Sequence, residues 1–337
     1  MSCRAGRLDG FPKQARTFVV RGRACRFAPQ RHTFTAVVGV IGNQQGDVVA
    51  NVLRHGYNIV PLGHETATAM KPLDYFAAHP VFRLEEFAAA HQAGKTLKPE
   101  SSLAAVKQHA RAGNLLRVRR GLYAVVPRGQ TPDNAVVDPY LLASNAAPDA
   151  VVAYHGALQF HGKAHSLTRE VPFLTATKAK PFAFRGGEFV PVAVPPPLRP
   201  LPAWGGGVVE KPHDGGTVRV TTLERTLVDV LDAPRHGGGW EEIWRSLESV
   251  EFFDLDALID YAFKLSSAVT VARVGFYLEQ HREELMVEDH HLDRLRERAP
   301  RQPMYLERGK RESGKLLSRW NLVVPARILN RSWAEVT

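Results

Sequence analysis

Between residues 70 and 128, four punctuating residues leave room for little except three short helices and a hairpin. Pro80 has no N–H to donate, so it closes a first helix over 73–79, with Phe76 on its apolar side. Phe82 is a short extended link. A second helix is expected over 84–92, where Leu84, Phe87, Ala88 and His91 form one stripe. After a turn over 95–98, Pro99 suits a first helical position, where a missing N–H costs nothing. The third helix runs to about residue 112, and Gly113 caps it. Leu103, Val106 and Ala110 fall at i, i+3 and i+7 on its inner face. Residues 115–126 then read as two strands around Arg119-Arg120-Gly121, where Gly121 supplies the positive φ of a tight turn.

Three helices followed by a hairpin is the pattern of a winged helix-turn-helix. In such a unit the third helix presents side chains to base edges in the major groove, and the hairpin lies along phosphates. The outer side of the third helix offers Ser101, Ser102, Lys107, Gln108, His109 and Arg111, with Lys98 just before it. Ser and Gln read base edges, and Lys neutralises phosphate. Arg117, Arg119 and Arg120 cluster on the hairpin, where an arginine reaches a narrow minor groove. The expected DNA-binding set is therefore Lys98, Ser101, Ser102, Lys107, Gln108, Arg111, Arg117, Arg119 and Arg120. The bland alternative is a winged helix used for protein contacts.

The distribution of charge supports a polyanionic partner. The net charge of +10 is uneven. Residues 1–69 and 70–128 each carry +6, 129–293 carry −9, and 294–331 carry +8. Separated basic zones suit nucleic acid, because each neutralised phosphate releases counterion. The basic 294–331 segment reads as either a second nucleic-acid surface or a face for an acidic partner. Trp320, Leu322 and Val324 alternate there as a core strand. No apolar run is long enough to span a membrane. No apolar stretch follows Arg4 and Arg7, so no secretory signal is expected. Both cysteines, Cys3 and Cys25, lie at the start, leaving no disulfide framework or zinc–thiolate site beyond them. A reducing cytoplasm is the expected location.

The fold class expected is α+β in three parts. Residues 1–69 lack helical periodicity and are expected to be largely irregular, a flexible basic arm or an upstream extension before Met70. Residues 70–128 are the winged helix. After a linker rich in turn formers, 140–330 form a mixed α+β domain. Its strands are expected over 171–175, 182–184, 188–194 and 217–220. Its helices are expected over 140–165 (in two pieces), 223–231, 240–248, 254–264, 270–284 and 291–298. Thr221-Thr-Leu-Glu224 is read as a capping box, and Asp254 and Thr270 as helix caps.

Catalytic readings are thinner. His155, His161 and His165 do not fall on one helix turn, and His290 and His291 are expected to point apart. No metal site and no cofactor is expected, and His155 and His161 are read as core hydrogen-bonding residues. Neither Gly205-Gly-Gly207 nor Gly237-Gly-Gly239 fits a phosphate loop. Glu224, Asp229 and Asp232 lie on one helix. A nucleic-acid-processing enzyme with magnesium held by these acids is the alternative, and it requires them to converge. The plainer reading is a capped helix with a solvated face, Asp229 pairing with Arg225 at the surface. The chain is not expected to be an enzyme.

Several stretches together resemble the AbiEi family of antitoxins, over about 70–330. They are Asp74-Tyr-Phe-Ala-Ala-His-Pro-Val-Phe-Arg-Leu-Glu-Glu-Phe87, Gly113-Asn-Leu-Leu-Arg-Val-Arg-Arg-Gly-Leu-Tyr123, Tyr154-His-Gly-Ala-Leu-Gln-Phe-His-Gly162, Arg219-Val-Thr-Thr-Leu-Glu-Arg-Thr-Leu-Val-Asp229, Gly275-Phe-Tyr-Leu-Glu-Gln-His281 and Trp320-Asn-Leu-Val-Val-Pro325. The resemblance implies a type IV toxin–antitoxin operon of abortive infection. It implies a cognate nucleotidyltransferase-like toxin as functional partner, with no stable complex required. It further implies that the winged helix binds double-stranded operator DNA upstream of its own operon as a repressor, and that the second domain carries the antitoxin activity. Self-association on DNA is left open.

Overall fold

The computed structural model describes residues 16–20, 36–42, 48–53, 71–92, 99–307 and 314–332. The chain divides into two compact units, Met1–Thr66 and Ala67–Thr337. The first holds strands β1 (Arg16–Val20), β2 (Ala36–Gly42) and β3 (Val48–Leu53), paired antiparallel in that order. The expectation of a largely irregular 1–69 is corrected at these segments. Their β-branched valines favour extended backbone, and the 36–42 run, which looked partnerless, lies between two shorter runs that pair with it.

The second unit begins with α1 (Pro72–Ala78), β4 (Val81–Arg83), α2 (Leu84–Gln92), α3 (Pro99–Arg111), β5 (Leu115–Arg119) and β6 (Leu122–Val125). Strands β4, β5 and β6 form an antiparallel sheet in the order β4-β6-β5. Period-two alternation sends Leu115 and Tyr123 to one face and Leu116, Leu122 and Ala124 to the other. On the first face they join Tyr75, Phe76, Phe82, Phe87 and Val106 in an aromatic core under the helices. Phe76 and Phe82 stack there at 5.3 Å.

The second face of that sheet is covered too. Val81, Leu122 and Ala124 share a core with Leu141, Leu142, Phe173, Val218 and Val220. These belong to the next layer, made of α4 (Pro139–Ser144), β7 (Val151–Val152), α5 (Tyr154–Phe160), β8 (Glu170–Thr175), β9 (Phe182–Phe184), β10 (Gly187–Ala193), β11 (Val208–His213) and β12 (Gly216–Thr221). Their strands form one mixed six-stranded sheet in the order β11-β12-β7-β8-β10-β9. Strand β11 was not expected from the sequence. It carries Pro212 and lies at the sheet edge, the place in a sheet where proline is tolerated.

A third core unites α6 (Leu223–Asp232), α7 (Trp240–Leu247), α8 (Leu255–Lys264), α9 (Ala268–Gln280) and α10 (Asp289–Arg296). A small sheet of β13 (Met304–Tyr305), β14 (Gly314–Leu317) and β15 (Leu322–Pro325), followed by α11 (Ala326–Leu329), packs on it. The expected core strand is shorter than Trp320–Val324: β15 holds Leu322 and Val324, Trp320 lies in the turn before it, and all three are fully buried. Two caps move. Thr222, not Thr221, accepts the Arg225 amide at the start of α6, and Ser267, not Thr270, caps α9. Asp254 caps α8 as expected. Among the described residues no helix is long and apolar enough to cross a membrane.

Candidate nucleic-acid interface

Helix α3 has two different sides. Val106 and Ser102, four residues apart, are both fully buried. On the opposite side Ala104, Lys107, Gln108 and Arg111 recur at i, i+3, i+4 and i+7, and all four are exposed. Ser101 continues this stripe one turn earlier and is half-buried. Ser102 does not belong to it. Its hydroxyl lies 3.0 Å from His91 Nδ1 and accepts from Gln92 Nε2 at 3.3 Å, tying α3 to α2. Its assignment as a base-reading residue is therefore corrected, because 102 shares the helix face of Val106. Lys98 lies outside the described residues.

The hairpin separates its three arginines. Leu115, Leu116 and Arg117 pair in step with Val125, Ala124 and Tyr123, but Leu122 then faces Arg119. One extra residue has entered β5, a β-bulge. Without it, Arg117 and Arg119 would share a face. With it, Arg117 stays on the Tyr123 face and is exposed, while Arg119 turns to the Leu122 face, toward the six-stranded sheet. There its guanidinium lies over the Phe182 ring and donates to the carbonyls of Ala146 and Lys180. Burial pulls its pKa below the ordinary guanidinium value. Arg119 is thus not available to a groove, and its place in the DNA-binding set is corrected. Arg120, at the turn beside Gly121 (φ +81°), is exposed.

What remains exposed is Lys107, Gln108 and Arg111 on α3, with Arg117 and Arg120 on the hairpin. Among the described residues none of these four cations has an ion-pair partner. The C-terminal arginines differ. Arg294 pairs with Asp256 and Asp260, Arg296 with Asp293, Arg319 with Glu279, Arg327 with Glu307 and Arg331 with Glu248. Five of the eleven cations of 294–331 are thus paired with carboxylates, while those at 308, 310 and 311 lie outside the described residues.

The carboxylates of α6 do not converge. Asp229 is buried and accepts from Tyr261 Oη at 2.7 Å and from Arg225 Nε at 3.3 Å. Arg225, 1% exposed, also donates to the Gly206 carbonyl at 2.7 Å. The expected surface pair is therefore a buried one. Asp232 accepts from the Thr270 hydroxyl, and Glu224 accepts from the Asp254 amide at 3.4 Å. Each carboxylate thus has partners of its own, and among the described residues these acids do not form a cluster close enough to share one ion.

The histidines divide similarly. His155 is buried between Glu242 Oε1 at 2.9 Å and Gln159 Oε1 at 3.1 Å. His161 Nε2 meets the Thr221 carbonyl at 2.8 Å, and burial lowers its pKa. Glu242 is also the acceptor for the Ser166 amide and for the hydroxyls of Ser166 and Ser246. Burial pushes the Glu242 pKa up, but these donors outweigh it and hold the carboxyl at about 2. His290 and His291 do not point apart: their ring centroids are 3.8 Å apart, and Asp256 lies near enough to make a candidate ligand triad. In this cluster His291 Nδ1 accepts the Glu288 amide at 3.1 Å and Asp256 also pairs with Arg294.

Nothing in the local sequence points to the anchors that hold Arg119. Ala146, Lys180 and Phe182 lie 27 to 63 residues downstream of it in loops and an edge strand, and only the register shift in β5 brings Arg119 to them.

No protein-family model matches the chain, and no curated protein matches it. Among solved structures, the chain is similar to the crystal structure of RV2827C protein from Mycobacterium tuberculosis. The two are 18% identical with a TM-score of 0.45, and the similarity covers 77% of this chain and 92% of that one.

Proposed function

We propose that this chain is a DNA-binding regulator in which residues 72–125 work as a winged helix-turn-helix. The order of elements and the β4-β6-β5 sheet support that reading. The observation that carries it is the set of exposed cations without counter-charges, Lys107 and Arg111 on α3 and Arg117 and Arg120 on the hairpin. In this reading α3 enters the major groove with Gln108 at base edges, and the hairpin arginines neutralise phosphates. The recognised DNA is an operator upstream of the chain's own operon. The wider proposal is an antitoxin that counteracts a nucleotidyltransferase-like toxin, with that activity in the 140–330 region; the family resemblance of the six sequence stretches supports it.

A gel shift on the DNA upstream of the gene tests the first part. The intact chain shifts it, and K107A/R111A weakens the shift by tenfold or more, about 1.4 kcal/mol. An unchanged shift would overturn the assignment of α3. Co-expression with the nucleotidyltransferase-like protein of the neighbouring reading frame tests the second. The intact chain and K107A/R111A should both restore growth, and failure of the intact chain to do so would overturn the antitoxin reading.

A further inference from the structure

We propose that the loop between β8 and β9, residues 176–181, is a second phosphate-contacting element, with Lys178 and Lys180 as its contacts. The inference rests on the DNA-binding reading and extends it from the hairpin onto the six-stranded sheet.

The loop is fixed at both ends. At its start Asp149 accepts the Thr175 hydroxyl at 2.5 Å, the Ala176 amide at 2.8 Å and the Thr177 hydroxyl at 3.1 Å. Burial raises the Asp149 pKa, but these donors outweigh it and keep the carboxylate ionised and occupied. At the other end Arg119 donates to the Lys180 carbonyl and lies over Phe182. Between the two anchors Ala179 packs into the core that also takes Leu116 and Val118 of the hairpin. Its neighbours Lys178 and Lys180 are both exposed, and among the described residues neither has an ion-pair partner.

Arg119 therefore does more than leave the hairpin surface. It couples the base of the hairpin turn to a loop that carries two lysines. Arg120, next along the chain, is exposed at that turn. The result is a run of free cations on both sides of the hairpin, Arg117 on one face and Lys178 and Lys180 beyond the other. A loop held at both ends loses little entropy when it meets a phosphate, which favours contact over a free tail of the same charge. Lysines contacting phosphate add affinity for any sequence, so the loop would strengthen binding without changing which operator is read.

The test is the salt dependence of binding by the full-length chain, followed by fluorescence anisotropy. Two duplexes of equal length serve as probes, the upstream DNA and a scrambled version. K178Q/K180Q should lower the slope of log affinity against log salt by about 1.8, at about 0.9 per phosphate contact. The preference for upstream over scrambled DNA should stay unchanged, and K178R/K180R should keep the parent slope. A parent-like slope for K178Q/K180Q, alongside a reduced slope for K107A/R117A, would overturn the proposal and leave the DNA-binding reading standing. If the unaltered chain shows no salt-dependent affinity for either duplex, the reading itself falls and takes this proposal with it.

Discussion

The Arg119 guanidinium lies 4.4 Å from the centre of the Phe182 ring, joining the hairpin to the edge strand of the six-stranded sheet. The same side chain meets the carbonyls of Ala146 and Lys180. Arg117, two residues earlier, meets solvent. Adjacent members of one arginine cluster thus have different work.

That difference is measurable. Arg119→Ala leaves two carbonyls without their donor and should cost about 1–3 kcal/mol in urea unfolding. Arg117→Ala should stay within about 0.5 kcal/mol of the parent in stability, while lowering the salt slope of DNA binding by about 0.9. Equal stability losses in the two variants would contradict the bulge-dependent assignment.

A second outcome concerns the buried Arg225–Asp229–Tyr261 cluster. Removing one partner strands a charge in the core, so Asp229→Ala should cost about 3–5 kcal/mol. Tyr261→Phe removes one hydrogen bond to a carboxylate and should cost about 1.5–3 kcal/mol. Thermal unfolding of both variants checks the order. An Asp229→Ala variant as stable as the parent would restore the solvated-face reading of α6.

Gly275 in α9 lies directly under the Trp320 ring; a Cβ there would sit 2.2 Å from ring carbons. Trp320 is anchored from its other end, its Nε1 donating to Glu279 Oε2 at 2.7 Å. Gly275→Ala should therefore destabilise by about 1–3 kcal/mol or more, despite alanine's better helix propensity. A gain in melting temperature would show that Trp320 is free to move aside.

The pH dependence of stability has a defined sign. Glu242 is held at about 2 in the fold against an ordinary 4.5, so its stabilisation is complete above pH 4.5 and fades as pH falls toward 2. His281, which burial and the nearby Arg331 push down to about 4 from 6.5, adds loss of stability between pH 6.5 and 4. Urea midpoints should fall steadily from pH 6.5 downward. Glu242→Gln should flatten the portion below 4.5; an unaltered profile in that variant would refute the role of the His155–Glu242–Ser166 knot.

Much of the 70–128 segment was legible in the sequence, because Pro80, Pro99, Gly113 and Gly121 act locally on the backbone. The helix stripes and the hairpin follow from those residues and from short periodicities. The two misplaced residues failed for different physical reasons. Ser102 is small and polar, yet it fills a core position because His91 and Gln92 satisfy its hydroxyl. Arg119 was expected to join Arg117 and Arg120 in the DNA-binding set, and a single inserted residue turned it to the other face of the hairpin. Neither hydrogen-bond partners 10 and 11 residues away nor a bulge leaves a trace in composition. The ion pairs of the C-terminal arginines are likewise long-range: Arg319 meets Glu279, and Arg294 meets Asp256, across 40 and 38 residues. Net charge along the chain therefore does not tell which arginines of 294–331 already meet a carboxylate.

The decisive measurement is the affinity of the intact chain for its own upstream duplex across a salt series. A steep log–log decline, together with tighter binding to that duplex than to a scrambled one, is the result expected when Lys107, Arg111, Arg117 and Arg120 meet phosphates and Gln108 meets bases. A flat series, or equal affinity for both duplexes, would contradict sequence-specific DNA recognition by this helix and hairpin.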